Sequence, residues 1–270
     1  KLIKLIVTDM DGTLLDDQHQ INEEFWDTLT ELKNRGITFS VASGRQYYNL
    51  LERFKGHEND IIFIAENGTI VMKNHKELFI KELDVNAAHE FIKISRELDE
   101  VYVVLCGKNS AYIESNDVKF KAVVDQFYHH CEIVEDLLTV KDQVLKVALF
   151  HFNDSEHKIY PFYKKFENDF KVVVSGKTWV DIMDKDINKG VALKGIKDKL
   201  GLTSHNVLAF GDYLNDYEMM QEAEYSFAMA NAHEELKKVA KYRAPSNNEN
   251  GVVDTIKRFL SKNNEFLNDL

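Results

Sequence analysis

The run Leu2-Ile3-Lys4-Leu5-Ile6-Val7-Thr8-Asp9-Met10-Asp11-Gly12-Thr13-Leu14 decides the fold. Its apolar half is short and closed by polar turn chemistry, which reads as a central strand of a parallel sheet running out into a loop. Ligands of such sheets bind at the carboxyl ends of the strands, so Asp9 and Asp11 stand where a site is expected. Side chains on extended backbone alternate faces, and a spacing of two lets both carboxylates face that site. Taken alone, Asp-x-Asp-Gly reads equally well as a polar turn capping a strand.

Downstream segments repeat the pattern. Ile21-Asn22 can staple and cap a helix carrying Phe25, Leu29 and Leu32, which Gly36 stops. Ile37 to Ala42 reads as a second buried strand, ended by Ser43-Gly44-Arg45, and Tyr47, Leu50, Leu51 and Phe54 suggest a helix beyond it. Strand, helix, strand, helix favours a parallel sheet. Ile61 to Ala65 is a third strand, but Glu66-Asn67-Gly68-Thr69 carries an Asn-Gly hairpin signal, so the pattern turns antiparallel there.

From about Lys81 the organisation changes. A helix at Val85 to Leu98 precedes strands Val101 to Cys106 and Ser110 to Glu114; a helix near Ser155 to Phe166 precedes strands Phe170 to Ser175 and Thr178 to Met183 around Gly176-Lys177. Between these two copies of helix, strand, strand lie a helix at Val118 to Tyr128 and a strand at Val144 to Phe152. The α/β alternation then resumes with a helix at Lys189 to Leu200, ended by Gly201, a strand Asn206 to Phe210 delivering Gly211-Asp212, a strand Tyr225 to Met229 and a helix Gly251 to Leu260. The fold class expected is α/β: a Rossmann-like parallel-sheet core, residues 1–81 and 186–270, with an inserted smaller α+β domain, residues 82–185.

With 270 residues and 44% hydrophobic content, the chain can bury the core this requires. Its 45 acidic against 34 basic residues give a net charge of -11, which repels a phosphate backbone, so no nucleic-acid partner is expected. Cys106 and Cys131 show no metal-ligand spacing, which argues against a zinc site or disulfide framework and fits a reducing, cytoplasmic setting. The opening Lys1 to Asp9 segment is too short and too quickly acidic for a signal peptide. No run approaches the roughly 18 apolar residues of a membrane span, so no membrane partner is expected either. A monomer or weak homodimer is the expected state.

Strand ends thus carry Asp9 and Asp11, Ser43, and Asp212, while Lys189 opens the helix that re-enters the core. Carboxylates brought within about 4 Å repel by about 4 kcal/mol at an effective dielectric of about 20, and a single lysine does not offset three of them. Such a cluster calls for a cation, and a few carboxylates with room for water and phosphate suit Mg2+. Paired acids permit one to attack phosphorus while the other handles the proton. Ser43 and Gly44 suit an anion at a helix start, although Ser43 alone is adequately read as an N-cap and Lys189 as a solvated helix residue. Asp212 is the preferred metal ligand, with Asn215 and Asp216 supporting the phosphate or Lys189. Lys146, His151, Lys177, Trp179 and Asp181 are candidates for substrate contact from the inserted domain, and His129 and His130 read as a solvated helix end.

Asp9-Met10-Asp11-Gly12-Thr13, Ser43-Gly44-Arg45, Lys189-Gly190 and Gly211-Asp212-x-x-Asn215-Asp216 together resemble the four motifs of the haloacid dehalogenase superfamily. The insert, Met229-Ala230-Asn231-Ala232 and Asn250-Gly251-Val252 resemble its Cof-type sugar-phosphate phosphatase branch. The resemblance implies Asp9 as nucleophile, Asp11 as general acid and base, and Mg2+ held by the Asp9 carboxylate, the Asp11 carbonyl and Asp212. It implies Ser43 and Lys189 on the phosphoryl group and the insert as a cap that sets substrate choice; Met10, Gly44 and Asn215 are expected around the same phosphate with Asp216 behind them, and Arg45 is read either as a contact to a substrate phosphate or hydroxyl or as a partner of a carboxylate of the loop. A carboxylic acid at Asp11 can protonate an alkoxide and then activate water, so hydrolysis of small phosphate esters is expected, with sugar phosphates first and pyridoxal phosphate or flavin mononucleotide next. A phosphomutase, or a non-catalytic phosphate-binding regulator, is the alternative.

Overall fold

The computed structural model describes residues 2–175, 177–262 and 267. In chain order its elements are β1 (Leu5–Asp9), α1 (Glu24–Asn34), β2 (Thr38–Ala42), α2 (Tyr47–Arg53), β3 (Ile61–Ala65), β4 (Ile70–Lys73), β5 (Lys76–Ile80), α3 (Val85–Ser95), β6 (Tyr102–Gly107), β7 (Ala111–Ile113), α4 (Val118–Phe127), β8 (Cys131–Ile133) and β9 (Val144–Phe150). There follow α5 (Ser155–Lys158), α6 (Tyr160–Tyr163), β10 (Phe170–Ser175), β11 (Trp179–Asp184), α7 (Lys189–Leu200), β12 (Val207–Gly211), α8 (Tyr217–Gln221), β13 (Tyr225–Met229), α9 (Glu234–Val239), β14 (Tyr242–Ala244) and α10 (Gly251–Lys262). They form two compact units: one holds the chain up to Gly44, Phe54–Glu77 and the chain from Asn188 on; the other holds Arg45–Arg53 and Leu78–Ile187.

The first unit is built on a sheet of order β14-β13-β12-β1-β2-β3-β4-β5. β1 pairs in parallel with β2 and with β12, aligning Leu5 with Thr38 and with Val207. Every residue of β1 is buried, as a strand covered on both faces must be, and this explains its unbroken apolar run. Successive strands leave β1 in one direction through β2 and β3, and the later ones leave it in the other through β12, β13 and β14. The carboxyl ends of β1 and β12 therefore flank the point where strand order reverses, the usual crevice for a ligand. The antiparallel turn expected after β3 is present, since Ala65 pairs with Ile70. One face is filled by aromatic packing of Phe25 on Phe39 at 5.3 Å, and of Phe54 on Phe25 at 6.0 Å and on Phe63 at 5.9 Å.

The second unit has a six-stranded sheet of order β10-β11-β9-β6-β7-β8. The two hairpins of the repeat, β6–β7 and β10–β11, are both antiparallel and flank β9. One face packs on a cluster containing Phe91 and Tyr163, the other on one containing Phe120 and Val124 of α4. The helix expected over Ser155 to Phe166 is broken into α5, α6 and a 3-10 turn, because Pro161 has no N–H to continue α5 and instead starts α6. Gly176, expected in the β10–β11 turn, lies outside the described residues. α2 is tied to this unit: Gln46 donates to His130 O at 2.8 Å and accepts from His130 N at 3.0 Å, while the Tyr48 ring stacks on the His130 ring at 3.9 Å. His129 and His130 are both exposed after α4, the solvated end expected, and His130 in addition packs on Tyr48.

Candidate active site

β1 ends at Asp9 and the chain turns at once, with Leu15 N–H donating to Met10 O at 2.9 Å. Gly12 makes that turn at φ +76°, and a Cβ there would lie 2.3 Å from Asp212 Oδ2, so no larger residue fits between the β1 and β12 ends. Thr13 Oγ1 donates to Asp212 Oδ1 at 2.9 Å and lies 3.3 Å from Asp9 Oδ2. Asn231 Nδ2 donates to Gly12 O at 2.8 Å and fastens the turn from outside. Asn188 Oδ1 caps α7 by accepting from Val191 N at 2.9 Å, which puts Lys189 in the first turn of the helix.

Lys189 is 1% exposed, and its solvated reading is overturned. Its Nζ donates to Asp9 Oδ1 at 2.8 Å and to Asp216 Oδ1 at 2.7 Å. The other oxygen of Asp216 accepts from the backbone N–H groups of Asp212 at 3.0 Å and Tyr213 at 3.3 Å, so this buried carboxylate holds both the lysine and the Asp212 loop. One oxygen each from Asp9, Asp212 and Asp216 lies within 4.8 Å of the others.

Burial pushes the Asp9 carboxyl well above the usual carboxylate range; Lys189 opposes the shift and Asp212 adds to it. Burial likewise raises Asp212, and raises Asp216 to about 6 with repulsion from Asp9 added. For Lys189 burial works downward, but Asp216 and Asp9 outweigh it and keep the ammonium charged. One ammonium therefore faces three clustered carboxylates. The excess negative charge and the all-oxygen donor set fit a small hard divalent cation, and Asp9 with Asp212 could hold it, since Asp216 is occupied by Lys189 and the backbone.

The remaining expected residues divide clearly. Ser43 is buried at the end of β2, where its N–H donates to Ile64 O and its O accepts from Asn67 N, each at 2.9 Å. Asn215 Nδ2 lies 3.4 Å from Asn67 Oδ1, and a Cβ on Gly44 would lie 3.2 Å from that same oxygen. Met10 is buried in the turn. The Asp11 side chain is not in the carboxylate cluster; it is 45% exposed, with His19 Nδ1 at 3.5 Å. Arg45 falls in the second unit and donates to Asn49 Oδ1 at 2.9 Å.

Among the insert candidates, Lys146 and Asp181 form a buried pair at 3.5 Å across β9 and β11. Trp179 packs on Phe150 at 4.8 Å, and Lys177 is exposed. His151 Nδ1 accepts from the backbone N–H of Asn153 at 3.1 Å and Asp154 at 3.0 Å, a turn-holding role. Thr13, Asn67 and Asn188 were missed as site residues. Thr13 stood inside the Asp9–Thr13 run, Asn67 inside the hairpin signal and Asn188 directly before Lys189, and those positions were the available signals.

A family model described as haloacid dehalogenase-like hydrolase matches residues 6–256. The chain is 37% identical over 261 residues to a 5-amino-6-(5-phospho-D-ribitylamino)uracil phosphatase of Escherichia coli, covering 96% of each. It is 26% identical over 259 residues to a Bacillus subtilis phosphatase of the same printed activity, again covering 96% of each. A solved structure from Streptococcus mutans matches with a TM-score of 0.86 at 29% identity, covering 96% of this chain and all of that one. The chain belongs to the haloacid dehalogenase-like hydrolases, Cof-type branch, and is a phosphatase of that family.

Proposed function

We propose that the chain is a Mg2+-dependent phosphomonoesterase that works through an aspartyl phosphate. The Asp9 carboxylate attacks phosphorus, the ester P–O bond breaks, and Asp11 gives its proton to the departing oxygen. Asp11 then takes a proton from water, the hydroxide attacks the phosphoryl group, and Asp9 is released with inorganic phosphate. An ammonium has three donors, and Lys189 spends two on Asp9 and Asp216, which leaves one for a phosphoryl oxygen beside Ser43, Asn215 and the backbone of Met10 and Gly44. Mg2+, when bound by Asp9, Asp212 and the Asp11 carbonyl, neutralises the cluster and draws charge from the phosphoryl oxygens. Asp216 holds Lys189 in place.

The observation that carries the reading is Asp9 itself, buried at the strand-order reversal with its charge only partly met by Lys189. Residues 82–185 act as the cap that sets substrate choice. The first substrate to test is 5-amino-6-(5-phospho-D-ribitylamino)uracil, after the printed activity of two relatives, in a panel with sugar phosphates, pyridoxal phosphate and flavin mononucleotide. Asp9→Asn should abolish phosphate release from p-nitrophenyl phosphate while the circular dichroism spectrum stays that of the parent; unchanged turnover would refute the assigned nucleophile. Excess EDTA should stop activity and added Mg2+ restore it, and full activity in EDTA would remove the metal.

A further inference from the structure

The loop after β3 is held in a conformation that side chains avoid. Glu66, Asn67 and Gly68 have φ of +49°, +60° and +99° in succession. Left-handed backbone at two consecutive non-glycine residues is unusual, and such strain persists where surrounding contacts impose it, commonly at functional sites. The contacts here are specific. Asn67 N–H donates to Ser43 O at 2.9 Å, Thr69 Oγ1 donates to Glu66 O at 2.9 Å, and a Cβ on Gly68 would lie 2.6 Å from Asn188 O. The loop is thus wedged between the end of β2 and the residue that precedes Lys189.

What the wedge delivers is the Asn67 side chain, 8% exposed. Its Oδ1 faces Asn215 Nδ2 at 3.4 Å, and a Cβ on Gly44 would touch both amide heteroatoms at 3.2 and 3.5 Å. Among the described residues, Nδ2 of Asn67 donates to no other group. A nearly buried amide that spends its acceptor and keeps its donors, lodged among Ser43, Gly44 and Asn215, is suited to an anionic oxygen.

We propose that Asn67 is a substrate-binding residue, with its side-chain N–H donating to a phosphoryl oxygen of the ester beside Ser43 and Asn215. The assignment rests on the phosphatase reading above. The test uses the full chain with Mg2+, p-nitrophenyl phosphate as substrate and inorganic phosphate as competing ligand, comparing wild type with Asn67→Gly and Asn67→Asp. Both replacements accept positive φ, so thermal midpoints should stay near wild type. KM and the inhibition constant for phosphate should rise about ten- to a hundredfold, the loss expected for one hydrogen bond to a charged group, with the carboxylate variant the worse of the two. Values within about twofold of wild type in both variants would overturn the assignment, because a lost charged hydrogen bond is larger than that. So would weakened binding that merely tracks lost thermal stability in both. A wild-type chain that neither turns over nor binds phosphate would remove the phosphatase reading, and this assignment with it.

Discussion

At the scale of single residues, the site is governed by one buried cation. Lys189 lies between Asp9 and Asp216 with its side chain fully buried, so each of the three charges depends on the others for its solvation. Removing one partner from such a group costs far more than the pair contributes, because the remaining charges stay buried without compensation. Lys189→Met should therefore lower the unfolding free energy by about 3–5 kcal/mol, read from urea denaturation in the absence of divalent ions. A loss below about 1 kcal/mol would mean that the carboxylates had taken up protons at little cost. Gly12 makes a complementary point. Its absent side chain is what lets the β1 turn and the Asp212 carboxylate approach, so the distance between Asp9 and Asp212 is set by a residue with no chemistry of its own.

At the scale of elements, each functional side chain is delivered by the end of a strand or the start of a helix. Asp9 ends β1, Ser43 follows β2, Asn67 follows β3, Asp212 follows β12 and Lys189 begins α7. Helix starts leave N–H groups without intrahelical partners, and for α7 the Asn188 side chain supplies one acceptor. Asn188→Ala should cost about 1 kcal/mol of stability, the usual loss for an N-cap, and should also lower turnover by loosening the turn that carries Lys189. An unchanged urea midpoint together with full turnover would show that the cap holds nothing. α7 ends as the sequence suggests, at Gly201 in left-handed conformation, so both of its boundaries follow from local chemistry.

At the scale of the whole molecule, charge separates partners. A formal net charge of -11 leaves the protein repelled by polyanions, while a small phosphate ester needs only the local field of Lys189 and a divalent ion. In about 0.1 M salt at neutral pH, where screening extends over about 10 Å, the protein should pass through heparin resin and be retained on an anion exchanger. Retention on heparin would reveal a basic surface that the composition does not suggest. Among the described residues no helix is long and apolar enough to cross a membrane.

Much of this architecture was legible in order along the chain. β1 read as buried because its apolar run is unbroken, Asn67-Gly68 announced the antiparallel turn, and Gly201 marked the end of α7. Such features depend on residues a few positions apart, where burial periodicity and turn chemistry act. The broken helix around Pro161 was misread because the apolar spacing continued through a residue that cannot donate. The packing of α2 on His130 left no pattern at all, since it joins segments 84 residues apart through Gln46.

By itself, then, the sequence determined the parallel core and the residue types offered at the strand ends, because those are local matters of period and turn. Tertiary structure alone decided that Lys189 is buried, that its ammonium bridges residues 180 and 27 positions away, that Asp11 stands apart from the carboxylate cluster and that Asn67 joins Ser43 and Asn215. Those outcomes are long-range: they arise when the order of the strands brings distant chain ends into one desolvated place, where charge and hydrogen bonding must balance.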